Sequence, residues 1–137
     1  QRCLEILPEK KILQVGIRSG TKEEFKFMSD NNQLVNFQTG KDAQEFAKAL
    51  LPYKKHPIYL TIDLDWFDPS LLSGTGTPEP GGYFWKDFEV ILETLKSFNI
   101  VASDIVELSP EIDNSGISSI VAAKVLRSLI MTVNNMQ

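Results

Sequence analysis

"IYLTIDLDWFDPSLLSGTGTPEPGG", running from Ile58 to Gly82, starts as an apolar, β-rich run and ends among glycines and prolines. Between the two lie Asp63, Asp65 and Asp68. Continuous apolar character over such a short run reads as a buried strand, Ile58 to Leu64. Side chains alternate across a strand, so Tyr59, Thr61, Asp63 and Asp65 share one face and Ile58, Leu60, Ile62 and Leu64 the other. Asp63 and Asp65 would then point the same way, roughly 6 to 7 Å apart along the strand. Two ionised carboxylates side by side at the end of a buried strand are costly unless something positive lies between them. The spacing suits hard or borderline cations held through oxygen. The same pair could instead cap the loop that follows, and the apolar run before it favours the cation. Asp68 differs, because Asp-Pro followed by Ser70 is turn chemistry and points to a loop-closing hydrogen bond.

Outward from this stretch, strand and helix patterns alternate. "KILQVGI" (Lys11 to Ile17) reads as a buried strand. Thr21 and Glu24 form a T-x-x-E capping box that opens a helix carrying Phe25 and Met28. "QLVNF" (Gln33 to Phe37) is a weaker strand. Asp42 can cap a helix with Ala43, Phe46, Ala47 and Leu50 at helical spacing, ended by Pro52. After the loop, Phe84, Phe88, Ile91, Leu92, Leu95 and Phe98 mark an amphipathic helix. Ile100 to Leu108 is a further strand. Asn114 or Ser115 caps a last helix with Ile117, Val121, Val125 and Leu129 on one stripe. Four strand–helix alternations predict an α/β fold with a mostly parallel sheet. Ligands of such sheets gather outside the carboxyl ends of the strands, where the unusual residues fall.

The chain has 137 residues, 42% hydrophobic and 23% charged, the composition of one ordinary globular domain. A net charge of −4 argues against nucleic acid as a partner. No apolar run reaches the roughly 20 residues of a membrane helix, so no membrane partner is expected. A single cysteine, Cys3, rules out an internal disulfide framework and fits a reducing, cytoplasmic setting. Glycines 74, 76, 81 and 82 with Pro78 and Pro80 match no phosphate-binding motif and read as a rigid wall around a small site.

The second strand end, "SDIVELSPEID", brings Asp104, Glu107, Glu111 and Asp113. Glu107, before a Ser-Pro break, could hold a cationic substrate group through paired hydrogen bonds. Asp113 reads as a helix cap and Glu111 as a solvated charge. His56, the one histidine, lies in the polar "KKHP" and reads as a surface residue. No histidine-based triad can be built from this chain.

"TIDLDWFDPSLLSGTGTPEPGG" followed by "DIVELSPEIDNSGISSIVAAKVL" resembles the carboxy-terminal half of a ureohydrolase, the arginase and agmatinase family. "ILQVGIRSGTKEE" is similar to the family segment just before it, so the resemblance extends over nearly the whole chain. It implies that residues 1–137 are the carboxy-terminal portion of a single three-layer α/β/α domain. It also implies a site with two Mn²⁺ (Ni²⁺ being possible) that hydrolyses a guanidino compound to urea. Asp63 and Asp65 match two metal-bridging aspartates, and Glu107 matches the glutamate that receives the guanidinium and serves catalysis. Cations between the two aspartates would make their joint burial affordable and would activate water.

This chain has Ser73 where the family usually has proline, and Trp66 and Phe67 are bulkier than the residues usual after D-x-D. The family's Gly-Gly-Asp-His and Asp-Ala-His-x-Asp elements, which supply the other ligands, do not occur here. The expectation is therefore a carboxy-terminal part that is inactive alone. Arginases follow "GIR" with Asp-x-Asp, which contacts the α-amino group of arginine; here Ser19, Gly20 and Thr21 stand there. Ser19 and Thr21 thus favour an agmatine-like substrate, and "PEPGG" leans the same way. Family members form trimers and hexamers, so a homo-oligomer is expected of the longer protein. The alternatives are a non-catalytic α/β module serving assembly, or a ureohydrolase for another guanidino or amidino compound.

Overall fold

A computed structural model describes residues 2–7, 11–31, 33–35 and 43–134. Its main elements, in chain order, are β1 (Gln14–Val15), α1 (Lys22–Asp30), β2 (Leu34–Val35), α2 (Ala43–Leu50), β3 (Ile58–Asp63), α3 (Trp85–Leu95), β4 (Ile100–Val106) and α4 (Ile117–Asn134). β1 pairs with β2 and β3 with β4, both in parallel. Parallel neighbours need a crossover, and helices provide it: α1 links β1 to β2, and α3 links β3 to β4. The α/β class with parallel pairing is therefore as the sequence predicts.

Local sequence explains most boundaries. Thr21 caps α1, its Oγ1 accepting the N–H of Glu24 at 3.2 Å while the Glu24 carboxylate accepts the N–H of Thr21 at 2.8 Å. Asp87 plays a similar part in α3, its carboxylate accepting the N–H of Phe84 at 2.8 Å. The proposed cap Asp42 and the strand end Phe37 lie outside the described residues. Pro52 falls in a short 3₁₀ turn, Leu51–Tyr53, that follows α2.

Some expectations need correction. The strand expected over Lys11 to Ile17 is ordered as a strand only at Gln14–Val15, because Gly16 turns the chain with a φ of 77°. β3 stops at Asp63, and Leu64–Trp66 form a 3₁₀ turn, so Asp65 is not a strand residue. Ile117 is 54% exposed; the predicted stripe of α4 holds at Val121, Val125 and Leu129, with Ser118, Ala122 and Thr132 buried beside it.

One face of β3–β4 is covered. Leu60, Ile62 and Ile105 pack against a buried cluster that includes Leu64, Phe67 and Leu72 with Phe88 and Leu92 of α3 and Val125 and Leu129 of α4. Each large apolar side chain buried there contributes roughly 1.5–3 kcal/mol. A second cluster joins Phe46 and Leu50 of α2 to Leu95, Phe98 and Ile100. Trp66 and Leu60 touch both clusters, so the chain leaving β3 is anchored from two sides. The other face of this sheet is open: Tyr59 is 62% exposed and Val106, the partner of Asp63, 38%.

Candidate metal centre

Asp63 is the last residue of β3, and its carboxylate bends the chain out of the strand. Oδ1 of Asp63 accepts the N–H of Asp65 at 3.1 Å, the local bond that favours a turn over a ladder. Buried Leu64 then locks the turn into the core. Asp65 is half-buried, and its Oδ2 accepts a hydrogen bond from Thr77 Oγ1 at 3.1 Å. The cap and cation readings of the D-x-D are therefore not exclusive: one oxygen of Asp63 caps the turn that presents Asp65.

The loop behind them is stitched shut at its base. Tyr83 donates its N–H to the carbonyl of Trp66 at 3.1 Å and accepts that of Asp68 at 2.9 Å. Asp68 spends its carboxylate on Ser70 and on the N–H groups of Gly81 and Gly82, as its turn chemistry predicts. Those bonds, Ser70 first, hold its pKa below the ordinary carboxylate range. Further along, the carbonyl of Gly74 accepts the N–H of Ser109 at 2.8 Å, and the N–H of Gly74 donates to Ser118 Oγ at the same distance. A Cβ on Gly74 would lie 2.8 Å from that of Ser118, so only glycine lets the loop dock this closely. The wall expected from the glycines and prolines is thus tied to both strand ends.

Glu107 completes the constellation. Asp63 pairs with Val106, the last residue of β4, so Glu107 leaves the sheet one step beyond that partner. Among the described residues it is the only one other than glycine with positive φ, 65°. Holding a glutamate there costs on the order of 1–2 kcal/mol. It also ends β4 two residues short of Leu108, where the sequence predicts the end. Gly76 faces it: a Cβ added there would meet Glu107 Oε2 at 3.6 Å, in ordinary contact.

Asp63 senses the other two acids. Partial desolvation pushes the Asp63 carboxyl up to about 6, and the charges of Asp65 and Glu107 add to the rise. The residue as a whole is still open to solvent, so this is a crowded carboxyl at a rim rather than a sealed one. Like charges gathered at a rim are a cation's environment, and the oxygens are hard donors of the kind Mn²⁺ takes. Among the described residues, however, no group of three or more acidic, histidine or cysteine side chains could hold a metal ion. The pair fits such an ion only as part of a larger donor set.

The remaining candidates divide. Asp104 is bound by Thr61 and Tyr59 (the latter at 2.5 Å), which hold its pKa down, on the open sheet face. Asp113 caps α4, and Glu111 and His56 are exposed, as expected. Ser19 is exposed, and Thr21 uses its hydroxyl oxygen for the α1 cap. Trp66 stacks on Tyr83, ring centroids 4.4 Å apart, so its bulk serves packing. Sequence reasoning passed over Thr77 and Arg18. The signal for Thr77 was a hydroxyl in the G-T-G-T segment after a D-x-D; that for Arg18 was a cation placed directly after an apolar strand.

The profile of the arginase family matches residues 1–132. The chain is 32% identical to the agmatinase of Bacillus anthracis over 96% of its own length and 45% of that protein's. It is 33% identical to the mitochondrial arginase 1 of Oryza sativa subsp. indica, over 91% of its length and 37% of that protein's. Among solved structures, a proposed agmatinase from Clostridium difficile superposes with a TM-score of 0.87 at 43% identity, over 98% of this chain and 49% of that one. The chain thus spans less than half the length of the relatives it matches.

Proposed function

Because this chain belongs to the arginase family, we propose that it is the carboxy-terminal part of a longer, metal-dependent ureohydrolase that cleaves an agmatine-like guanidino compound to urea and an amine. The observation that carries this reading is the convergence of Asp63, Asp65 and Glu107 at two neighbouring parallel strand ends, with the Asp63 carboxyl raised to about 6. Asp63 and Asp65 would hold divalent cations, Mn²⁺ or Ni²⁺, together with donors from outside this chain. Bound there, such cations supply Lewis-acid and water-activating chemistry. Glu107, whose carboxylate lies beside Gly76, would receive the planar guanidinium through charge-assisted hydrogen bonds and fix its carbon in place. Its cost in backbone strain suits a residue placed for function. Thr77 would keep Asp65 oriented, and the docked loop would keep bulk water from the guanidinium.

Substrate choice rests on Ser19 and Thr21, which offer no carboxylate to an α-ammonium group, so a decarboxylated guanidino compound is favoured over arginine. The open face of β3–β4, with Tyr59 and Val106, and the exposed Leu126, Ile130 and Met131 of α4 suit cover by the rest of a longer protein or by further copies in a homo-oligomer. Among the described residues no helix is long and apolar enough to cross a membrane, and we propose a cytoplasmic enzyme. The test is metal analysis and urea release with the full-length protein that carries this segment. Bound Mn²⁺ with urea formed faster from agmatine than from arginine is expected. A full-length protein that takes up no Mn²⁺ or Ni²⁺ and releases no urea from either compound overturns the reading.

A further inference from the structure

Arg18 lies just past the end of β1 and is half-buried. Its Nη2 donates to the carbonyl of Asp65 at 2.7 Å and to that of Glu79 at 2.9 Å, and its Nη1 donates to the carbonyl of Trp66 at 3.0 Å. These acceptors belong to the two segments that fix the Asp65 side chain. Asp65 and Trp66 are the backbone of the turn that carries it, and Glu79 is two residues past Thr77, whose hydroxyl grips its Oδ2. One planar guanidinium thus spans both. We propose that Arg18 is a positioning residue for the cation site, holding the Asp65 turn and the Thr77 loop in register so that the carboxylate is presented in one orientation.

Two features favour this over a general stabilising contact. Among the described residues no carboxylate lies within ion-pair range of Arg18, so its charge sits beside Asp65 without competing with a cation for the oxygens. Its Nε is buried without a partner among the described residues, which is a cost accepted to reach three carbonyls at once. The approach is prepared by Gly16: a Cβ there would fall 2.4 Å from the Tyr83 ring and 2.5 Å from Trp66 Nε1. Lysine, a point donor on a flexible stem, cannot reproduce the planar fork.

The inference rests on the proposed metal-dependent function, and the experiment separates the two. Full-length protein with Arg18→Lys, Arg18→Met, Thr77→Val or the Lys/Val combination is compared with wild type for Mn²⁺ affinity, kcat and KM on agmatine, and thermal midpoint. Loss of an outer partner of a metal ligand typically weakens binding about 10- to 100-fold. We expect that range for Arg18→Met and a smaller loss for Arg18→Lys. In both, kcat should fall while KM stays within about twofold, and excess Mn²⁺ should restore part of the rate. The Lys/Val combination should lose less than the product of its single losses, because both act on Asp65. Unchanged Mn²⁺ affinity in Arg18→Lys, whatever the thermal midpoint, or losses that simply multiply, overturns the proposal. A wild-type protein that takes up no cation instead removes the functional reading beneath it.

Discussion

Oδ1 of Asp63 accepts the backbone N–H of Asp65 at 3.1 Å, so the first carboxylate of the D-x-D builds the turn on which the second stands. The relation separates two roles that a single deletion would confound.

Asp63→Asn keeps an oxygen for the N–H of Asp65 and removes the charge. Were Asp63 only a cap, this variant would retain the turn and the activity of the full-length protein. As a cation ligand, it should lose at least one Mn²⁺ and nearly all turnover while its thermal midpoint without metal stays close to wild type. Asp63→Ala should lose both. Metal content measured by mass spectrometry, beside melting of the metal-stripped protein, decides between them; full metal content in Asp63→Asn removes the ligand assignment.

The strands β3 and β4 and the box at Thr21 and Glu24 were legible because each rests on a local pattern. The turn at Asp65 was not, because alternation extends a strand until something stops it, and the stop is a side-chain bond from Asp63. The end of β4 escaped for a similar reason: nothing in "IVELS" announces that Glu107 adopts a left-handed backbone. On α4 the stripe was legible at Val121, Val125 and Leu129 but not in the first turn, where Ile117 is exposed and buried Ser118 is held by hydrogen bonds and not by hydrophobicity. Arg18 and Thr77 act on residues distant in sequence, across 47 and 12 positions, and no local pattern encodes such a pairing. The candidate acids themselves were legible as chemistry.

Substrate preference can be moved if Ser19 and Thr21 set it. Aspartate is as good a helix cap as threonine, so Thr21→Asp should keep the α1 cap while adding a carboxylate. Combined with Ser19→Asp in the full-length protein, it should raise kcat/KM on arginine by about tenfold, the scale of one charge-assisted contact. Agmatine turnover should fall or hold. Steady-state urea release on both compounds checks this, and an unchanged arginine rate would show that these positions do not read the α-ammonium.

Asp113 sets the acid sensitivity of α4. Its Oδ1 accepts from Ser115 N–H and Oγ, and its Oδ2 from Ser118 N–H at 2.7 Å. The Ser115 and Ser118 bonds hold its pKa far below the ordinary carboxylate value of 3.8. A depressed folded pKa means that the unfolded chain takes up the proton first. Its stabilisation is therefore complete above pH 3.8 and lost as pH falls through the lower folded value. Asp113→Asn, which cannot accept at both atoms, should melt earlier than wild type at neutral pH. The gap should narrow below pH 4 in melts across that range, and a gap that widens with acid would contradict the sign.

Glu107 carries the last prediction. Its left-handed backbone sets its carboxylate against Gly76 and close enough to Asp63 for its charge to be felt there. Glu107→Gln keeps shape and backbone but converts a charge-assisted contact into a neutral one, about half as strong. In the full-length protein kcat/KM should fall ten- to a thousandfold, about 1.4 to 4 kcal/mol, with Mn²⁺ content intact. Glu107→Gly relieves the left-handed φ and removes the carboxylate, so it should raise the thermal midpoint while abolishing turnover. Stability and activity thus move in opposite directions at one position, which a purely structural role would not produce. Full activity in Glu107→Gln, or loss of metal from it, assigns Glu107 a different part.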